Sequence, residues 1–530
     1  MKNLFFLVLS ITLISCSTKT EALEIPLTSS SSEAIKILSD ELFFKTNKIT
    51  GRLINRGQSP QIYNAIIKSL QIDPNFIFAK VMLTESSNSM SRAERISILD
   101  EAYKKRNSIS DIERGIIEAI YFYRVNGDKV KASQILDKLV ADNPNYYYLK
   151  VFNGNYQNSV MLDPKSSENS WKEALKINPN ADIAKLLLAQ LHFVTTPDFI
   201  LLESNEINLE FAKKMIGEVQ KNKPDSPTPQ RLLGNINRLE GNFDLSLEAY
   251  SKAMDLVEDK KSSLYSTLYL ISGHVYLFKN EFEKAREYYQ KSIEIRTSPF
   301  FEVNTMAWSS NSYLYEKKFD KAIIAINELE KRVNDYDIDP LTKTNLLFRC
   351  AQEKFIAYGH SQMKDDTKKV VEEIKQLQSD IKVLRLSSLN SDSERRNIEL
   401  QSELNPAFFN IWYNILFGEY DDARKSLRNY SLLSSEFLSY DSKAMVNFYK
   451  LSGYLNLMEG NINRSISFYE QIPKELLEGD NYQLYFYALA KKANGNTKQS
   501  EELFEYLANY NFAGWENSII RPLVKSQVKS

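Results

Sequence analysis

The chain has 530 residues and a formal net charge of −1, from 67 basic and 68 acidic side chains. This length exceeds what one compact hydrophobic core usually supports, so it predicts several domains or a repeat array. The balanced charge argues against a protein that holds nucleic acid or an anionic membrane through a broad positive field. Glycine and proline are scarce, at 16 and 15 residues, which favours an all-α protein because few residues break helices.

The N-terminal residues 1–15 predict a signal peptide. After Lys2 comes an apolar run that is too short to span a hydrocarbon core of ~30 Å but has the length of a signal-peptide core. The letters LISC follow and end at Cys16, and they resemble a bacterial lipobox. The resemblance implies that Cys16 becomes the first residue of the mature protein and carries several acyl chains, which together anchor a protein stably in a membrane. The alternative is an ordinary signal peptide with an incidental cysteine.

The residues after the cysteine bear on location and flexibility. Ser17 stands next, without an aspartate, as in the lipoproteins that this sequence resembles and that are sorted to the outer membrane. No acidic cluster follows, which favours the leaflet that faces the periplasm. Residues 16–31 are polar and rich in serine, so they predict a flexible tether between the lipid and the folded body.

A repeated pattern runs through the rest of the chain. A small residue is followed four positions later by a bulky one and seven positions later by a small or apolar one, so that all three lie on one helical face. The sets are Ala132/Leu136/Leu139, Ala212/Ile216/Val219, Ser246/Tyr250/Ala253, Ala285/Tyr289/Ser292, Ala322/Ile326/Leu329, Ala423/Leu427/Tyr430, Ser465/Tyr469/Ile472 and Ser500/Phe504/Leu507. Short turns precede them at residues 126–129, 241–243, 280–282, 317–319, 418–420, 460–462 and 495–497. Further upstream, small residues stand at Gly234, Gly273, Ser310 and Gly453.

This pattern resembles the tetratricopeptide repeat, a pair of antiparallel helices of about 34 residues. The small residues would let the two helices of a pair cross closely, and the turn would end the first helix in a left-handed conformation. The resemblance implies an all-α, right-handed superhelical solenoid of antiparallel helix pairs, with about ten units over most of the chain. The alternative is a helical bundle without repeats.

The pattern also divides the chain. Residues 32–385 are predicted to form an N-terminal array and residues 406–530 a C-terminal array, with a linker or a degenerate repeat at 386–405. Two stretches are predicted to interrupt the stack. One is VTTPDFILLESNE at residues 194–206, a connector with a proline. The other is LSSLNSDSERRN, which is rich in serine and asparagine, begins the predicted linker and is the preferred hinge. Near the C-terminus, the apolar residues of WENSIIRPLV fall on one side of a helix, which is predicted to cap the open end of the array.

The sequence contains few residue patterns that are typical of catalytic, metal or cofactor sites. The 3 histidines lie far apart, and no spacing of histidine, cysteine or carboxylate residues predicts a metal site. The sequence has no nucleophile elbow, no phosphate-binding loop and no dinucleotide fingerprint. Acidic pairs such as Asp421-Asp422 stand where helix caps belong, and Cys350 is expected to be a small buried residue. The sequence therefore predicts no catalytic residue, no metal, no cofactor and no enzymatic activity.

In tetratricopeptide arrays the first helix of each pair lines a concave groove. Counted from the small residues, the resemblance implies these candidate peptide-binding residues: Arg231, Asn235, Arg238, His274, Phe278, Asn304, Asn311 and Tyr315. Arg231 and Asn235 resemble the start of a carboxylate clamp, and the planar fork of arginine suits a carboxylate. The next units depart from that clamp, because Ile271 and Trp308 stand where it needs polar groups. An extended or helical peptide is expected instead, and the alternative is that these residues only face solvent.

Together these features predict a non-enzymatic, lipid-anchored scaffold that binds a protein or peptide partner, and no nucleic acid, in the bacterial cell envelope. As an outer-membrane lipoprotein it would face the periplasm. Two alternatives stay open. A glycan-capture lipoprotein of the starch-binding, porin-associated type contains such repeats but adds excursions rich in Gly, Trp and Asp, whereas this chain has 4 tryptophans. A subunit of the outer-membrane barrel-assembly complex would also carry such repeats, in smaller number.

Overall fold

The fold is that of a computed structural model, which describes residues 26–42, 60–86, 90, 92–193, 201–295, 298–387, 392–441 and 443–528. In these ranges the regular elements are all helices, as the sequence predicts, and no strand is present. None of the described helices is both long and apolar enough to cross a membrane. The predicted signal peptide, Cys16 and the tether up to residue 25 lie outside the described residues.

Residue contacts divide the chain into two compact units. The first ends at Leu188, and the second runs from Ala189 onward and includes the short stretch Met90–Ile96. The sequence predicts two interruptions, at 194–206, close to this division, and at 386–405, the preferred hinge. In the structure, residues 392–405 are the first part of a long helix, in which Ile398 and Leu400 are buried. The described part of this region is therefore helical and packed in the second unit, and its assignment as a linker or a degenerate repeat stays a prediction.

The first unit is a run of helix pairs. The helices up to residue 190 are α1 (Ser32–Leu42), α2 (Pro60–Ile72), α3 (Ile77–Ser86), α4 (Arg92–Lys105), α5 (Asp111–Arg124), α6 (Lys129–Asp142), α7 (Tyr147–Tyr156), α8 (Pro164–Ile177) and α9 (Asp182–Gln190). Helix α1 packs on α2, α5 on α6 and α7 on α8. Gly154 of α7 faces the buried ring of Trp171, and a Cβ atom at that glycine would lie 2.4 Å from the indole Nε1 atom. A residue without a side chain therefore lets this pair close.

The end of the predicted tether is bound to the folded body. The Oγ1 atom of Thr28 donates to the Oε2 atom of Glu113 at 2.7 Å, and the Oγ atom of Ser29 donates to Oε1 at 2.6 Å. Ser110, which caps α5, donates to the same carboxylate at 2.9 Å. Glu113 is 0% exposed, and a buried carboxylate needs donors of this kind. The described end of the predicted tether is therefore held against the folded body at Thr28 and Ser29.

We expect Glu113→Gln to lower the free energy of unfolding by about 2 kcal/mol, because the amide nitrogen would face donors instead of accepting from them. Chemical denaturation of the full chain measures the change. Glu118→Gln is the matched control, because Glu118 pairs with Arg106 at a partly exposed position, where such a pair contributes less than about 1 kcal/mol. Equal losses in the two variants would contradict an anchoring role for Glu113.

The second unit continues the pattern of pairs. Its helices are α10 (Leu209–Asn222), α11 (Pro227–Leu239), α12 (Phe243–Leu256), α13 (Ser263–Phe278), α14 (Phe282–Ile295), α15 (Pro299–Tyr315), α16 (Phe319–Asn334), α17 (Pro340–His360), α18 (Lys364–Leu386), α19 (Asp392–Leu416), α20 (Tyr420–Phe437), α21 (Val446–Met458), α22 (Ile462–Tyr469), α23 (Lys474–Glu478), α24 (Asn481–Ala493), α25 (Thr497–Asn509) and α26 (Trp515–Val524). From α11 to α22 each odd-numbered helix pairs with the next, α24 pairs with α25, and successive pairs also pack together. The predicted solenoid of helix pairs is confirmed in these helices.

The predicted turns have the predicted backbone. In each of them one residue has a positive φ angle, the left-handed conformation that glycine adopts freely and asparagine tolerates. These residues are Gly127, Gly241, Asn280, Lys317, Gly418, Gly460 and Gly495. Each ends the first helix of a pair and reverses the chain, so this prediction is confirmed.

Within a pair, glycine in the first helix makes room for a ring of the second. A Cβ atom at Gly234 would lie 2.3 Å from Cε1 of Tyr250, and one at Gly273 would lie 2.5 Å from Cε1 of Tyr289. Both rings are fully buried, and all members of the repeated sets are buried. The serine at the small position of α12, Ser246, donates to the carbonyl oxygen of Gly234 at 2.7 Å. The pattern of small and bulky residues thus marks the contact between the two helices.

Candidate peptide-binding groove

The eight candidate residues lie on three first helices of the second unit. Arg231, Asn235 and Arg238 are on α11, His274 and Phe278 on α13, and Asn304, Asn311 and Tyr315 on α15. All of them except Arg231 and Asn304, which are partly exposed, are buried. Because most of them are buried, the residues that cover them decide whether they line an open groove.

Two of these residues position the buried tyrosines. The hydroxyl of Tyr250 donates to Oδ1 of Asn235 at 2.7 Å, and Nδ1 of His274 is hydrogen-bonded to the hydroxyl of Tyr289 at 2.9 Å. Burial, and then the positive charge of Arg238, hold the pKa of His274 well below its usual range, so the ring is neutral. Asn235 and His274 therefore serve the packing of their own helix pairs, which accounts for their burial.

Other candidates are covered by the chain itself. We call residues 510–526 the C-terminal segment. The guanidinium carbon of Arg238 lies 5.6 Å from the ring centre of Phe512, and that of Arg521 lies 4.9 Å from the ring centre of Phe278. Helix α26 also packs against α15. The inner face formed by α11, α13 and α15 is thus occupied by a segment that follows it by more than 200 residues.

Hydrogen bonds fix the C-terminal segment in this position. Nδ2 of Asn511 donates to the carbonyl oxygen of Leu239 at 3.4 Å, and Nζ of Lys525 donates to Oδ1 of Asn280 at 3.0 Å. The guanidinium of Arg521 donates to Oδ1 of Asn511 at 3.1 Å. Helix α26 packs on α24 and α25 as the predicted cap should, but the contact with α15 is additional. The polar residues of this capping segment indicate that it makes a second contact. Helix periodicity alone does not show which part of the fold that contact involves.

The covered face retains polar atoms without partners. Arg238 is 2% exposed, and neither its Nε nor its Nη1 atom has a hydrogen-bond partner among the described residues. The same holds for the side-chain amide of Asn311 and the hydroxyl of Tyr315. Burying a guanidinium without a counter-charge is unfavourable, and a carboxylate is the group that best satisfies it. The face can therefore accept an acidic group.

The comparisons with known proteins bear on the fold. Residues 225–298, which span α11 to α14, match the model of the tetratricopeptide repeat family. Residues 225–298 are therefore similar to tetratricopeptide repeats. Repeats of this family form protein-interaction scaffolds, which agrees with the prediction made from the sequence.

No curated protein matches the chain. Among solved structures, the human IFIT1 dimer with PPP-AAAA is similar at 16% identity, over 77% of this chain and 86% of that chain, with a TM-score of 0.36. The human IFIT1 dimer with m7Gppp-AAAA is similar at 14% identity, over 78% of this chain and 85% of that chain, with a TM-score of 0.37.

Proposed function

We propose that the protein is a non-enzymatic, lipid-anchored scaffold that holds a protein or peptide partner in the bacterial cell envelope. The observation that carries this proposal is the C-terminal segment on the inner face of α11, α13 and α15. That face holds a polypeptide segment through ring, guanidinium and amide contacts, so it has the shape and chemistry to hold another.

The unpaired groups favour an acidic partner. In its present position the C-terminal segment gives Arg238 an aromatic ring, Phe512, but no carboxylate. A partner peptide that brings a carboxylate to Arg238 and Asn311 would satisfy donors that are now unsatisfied. Such a peptide would compete with the C-terminal segment for the same face, and its bound fraction would depend on how firmly that segment is held.

The anchor is the second part of the proposal. The lipobox-like letters at Cys16 and the absence of an aspartate after it support acylation and an outer-membrane location. We expect cells fed a labelled fatty acid to incorporate the label into the natural chain and not into a Cys16→Ser variant, which should leave the membrane fraction. Label in the variant, or an unlabelled natural chain, would contradict lipid anchoring.

Crosslinking mass spectrometry on intact cells tests the scaffold. We expect the natural chain to give crosslinks between α11–α15 and an envelope protein, at a stretch rich in Asp or Glu or at a chain end. Arg238→Met should reduce these crosslinks about tenfold, because it removes the donor of a charge-assisted bond. Arg521→Ala should increase them, because it loosens the C-terminal segment.

Arg464→Met on the exposed side of α22 is the matched control and should change nothing. Thermal unfolding would verify that all three variants stay folded. The groove would be refuted as the partner site if neither Arg238→Met nor Arg521→Ala changed the crosslinks. Recovery of a polysaccharide in place of a protein would refute it as well.

A further inference from the structure

A cavity of about 220 Å³ lies inside the second unit, between α17, α19, α21, α24 and the start of α26. Its apolar wall consists of Phe408, Phe409, Trp412, Tyr482 and Trp515, together with one isoleucine. A cavity of about 150 Å³ is large enough to hold a benzene molecule. The space here therefore fits a compact organic molecule of that size or somewhat larger.

Three of the rings form a cluster built from distant parts of the chain. The ring centres of Trp412 and Tyr482 are 5.2 Å apart, and that of Trp515 lies 5.6 Å from each of them. The indole N–H of Trp412 donates to the hydroxyl of Tyr482 at 3.3 Å, which fixes their relative orientation. Indole and phenol rings present electron-rich faces that attract cations.

The polar wall of the cavity includes a carboxylate, that of Glu353, that can accept a further hydrogen bond. Glu353 is 1% exposed, and its Oε1 atom accepts from Nε of Arg349 at 2.8 Å, whereas its Oε2 atom has no hydrogen-bond partner among the described residues. The other carboxylate is saturated, because Asp480 accepts from Nζ of Lys450 at 2.9 Å and from the backbone N–H of Gln483 at 3.0 Å. A buried carboxylate oxygen without a donor is rare and unfavourable, so Oε2 of Glu353 calls for a donor or a cation.

A further carboxyl group, that of Glu516, lies beside the cavity next to Trp515. Burial, together with the negative charges of Asp480 and Glu353, raises the pKa of Glu516 to about 8, although Arg349 lowers it in part. Two of the causes are the negative charges of Asp480 and Glu353, which line the cavity and disfavour a further negative charge there.

We infer that this cavity binds a small organic ammonium ion, with its carbon atoms against Trp412, Tyr482 and Trp515 and its positive group at Oε2 of Glu353. The two walls are complementary for such an ion, because the rings take the apolar surface and the charge together. A neutral apolar molecule would leave the carboxylate oxygen unsatisfied, and an anion would be repelled by it.

Isothermal titration calorimetry on the full chain tests this inference with two matched pairs of probes. Choline is compared with dimethylbutanol, the neutral isostere in which carbon replaces the quaternary nitrogen, and butylamine with butanol. We expect at least one cation to bind about tenfold more tightly than its neutral counterpart, which is the size of a cation–π contact combined with a carboxylate in a buried site.

Two variants test whether the ion binds in the cavity. Glu353→Gln and Trp412→Leu should each weaken binding about tenfold, and melting curves would show whether either variant has lost its fold. Glu436→Gln is the control, because Glu436 is exposed and pairs with Arg396 away from the cavity. Three results would overturn the inference: no binding of either cation at millimolar concentration, equal binding of cation and isostere, or unchanged binding in a folded cavity variant.

Discussion

Gly273→Ala is expected to lower the free energy of unfolding by about 3 kcal/mol, the upper range for overpacking in a core. The new Cβ atom would lie 2.5 Å from Cε1 and 2.7 Å from Cδ1 of Tyr289. The ring cannot move aside easily, because it is fully buried and its hydroxyl is bonded to His274 at 2.9 Å. Chemical denaturation followed by circular dichroism measures the loss.

Gly217→Ala is the matched control. Gly217 lies within α10, and nothing stands within 4 Å of the position that its Cβ atom would take. Alanine there should raise stability by about 1 kcal/mol, which is the helix propensity difference between the two residues. Adding Tyr289→Leu to Gly273→Ala should cost less than the sum of the two single changes, because the smaller side chain relieves the overlap. If both glycine variants had the same effect, the close approach at Gly273 would be refuted.

Glu516→Gln is expected to stabilise the protein by about 2–4 kcal/mol above pH about 8 and to leave it unchanged at acidic pH. In the folded state burial, assisted by Asp480 and Glu353, raises the pKa of Glu516 to about 8 from its ordinary value of 4.5. The folded chain therefore holds a proton that the unfolded chain releases. The natural chain is most stable, in this respect, below pH 4.5 and loses that stability as the pH rises to about 8.

Glutamine resembles the protonated carboxyl at every pH, so the variant should not lose stability over this window. Thermal unfolding of the two chains over a pH series measures the difference between their midpoints. Glu436→Gln serves again as the control, because Glu436 is exposed and its pKa is lowered by its hydrogen bond to Arg396. A difference between the natural chain and Glu516→Gln that does not grow with pH would contradict the raised pKa.

The sequence predicts the features that depend on neighbouring residues. The position of Gly273, the left-handed turn at Asn280 and the buried ring of Tyr289 follow one another within a few helical turns, and each is needed for the pair to close. The helical period determines which residues of a helix pair face each other. The spacing of residues in the sequence is therefore enough to predict these contacts.

The contacts that cover the candidate groove could not be predicted in this way. Lys525 and Asn280 are 245 residues apart, and Asn511 and Leu239 are 272 residues apart. A local pattern carries no information about which distant segment returns to a helix. The cavity at Trp412 and Glu353 could not be predicted from the sequence for the same reason, because its walls come from helices far apart in the chain, including α17, α19, α24 and α26.

The return of the C-terminal segment also sets an order of events during folding. In an ordinary repeat array each unit touches only its neighbours, so the first units can reach their final form while later ones are still being made. Here α11, α13 and α15 obtain their last contacts from Phe512, Arg521 and Lys525. Until those residues have joined the fold, the inner face is open and Phe278 lacks its cover. A partner present at that time would meet this face without competition from the C-terminal segment.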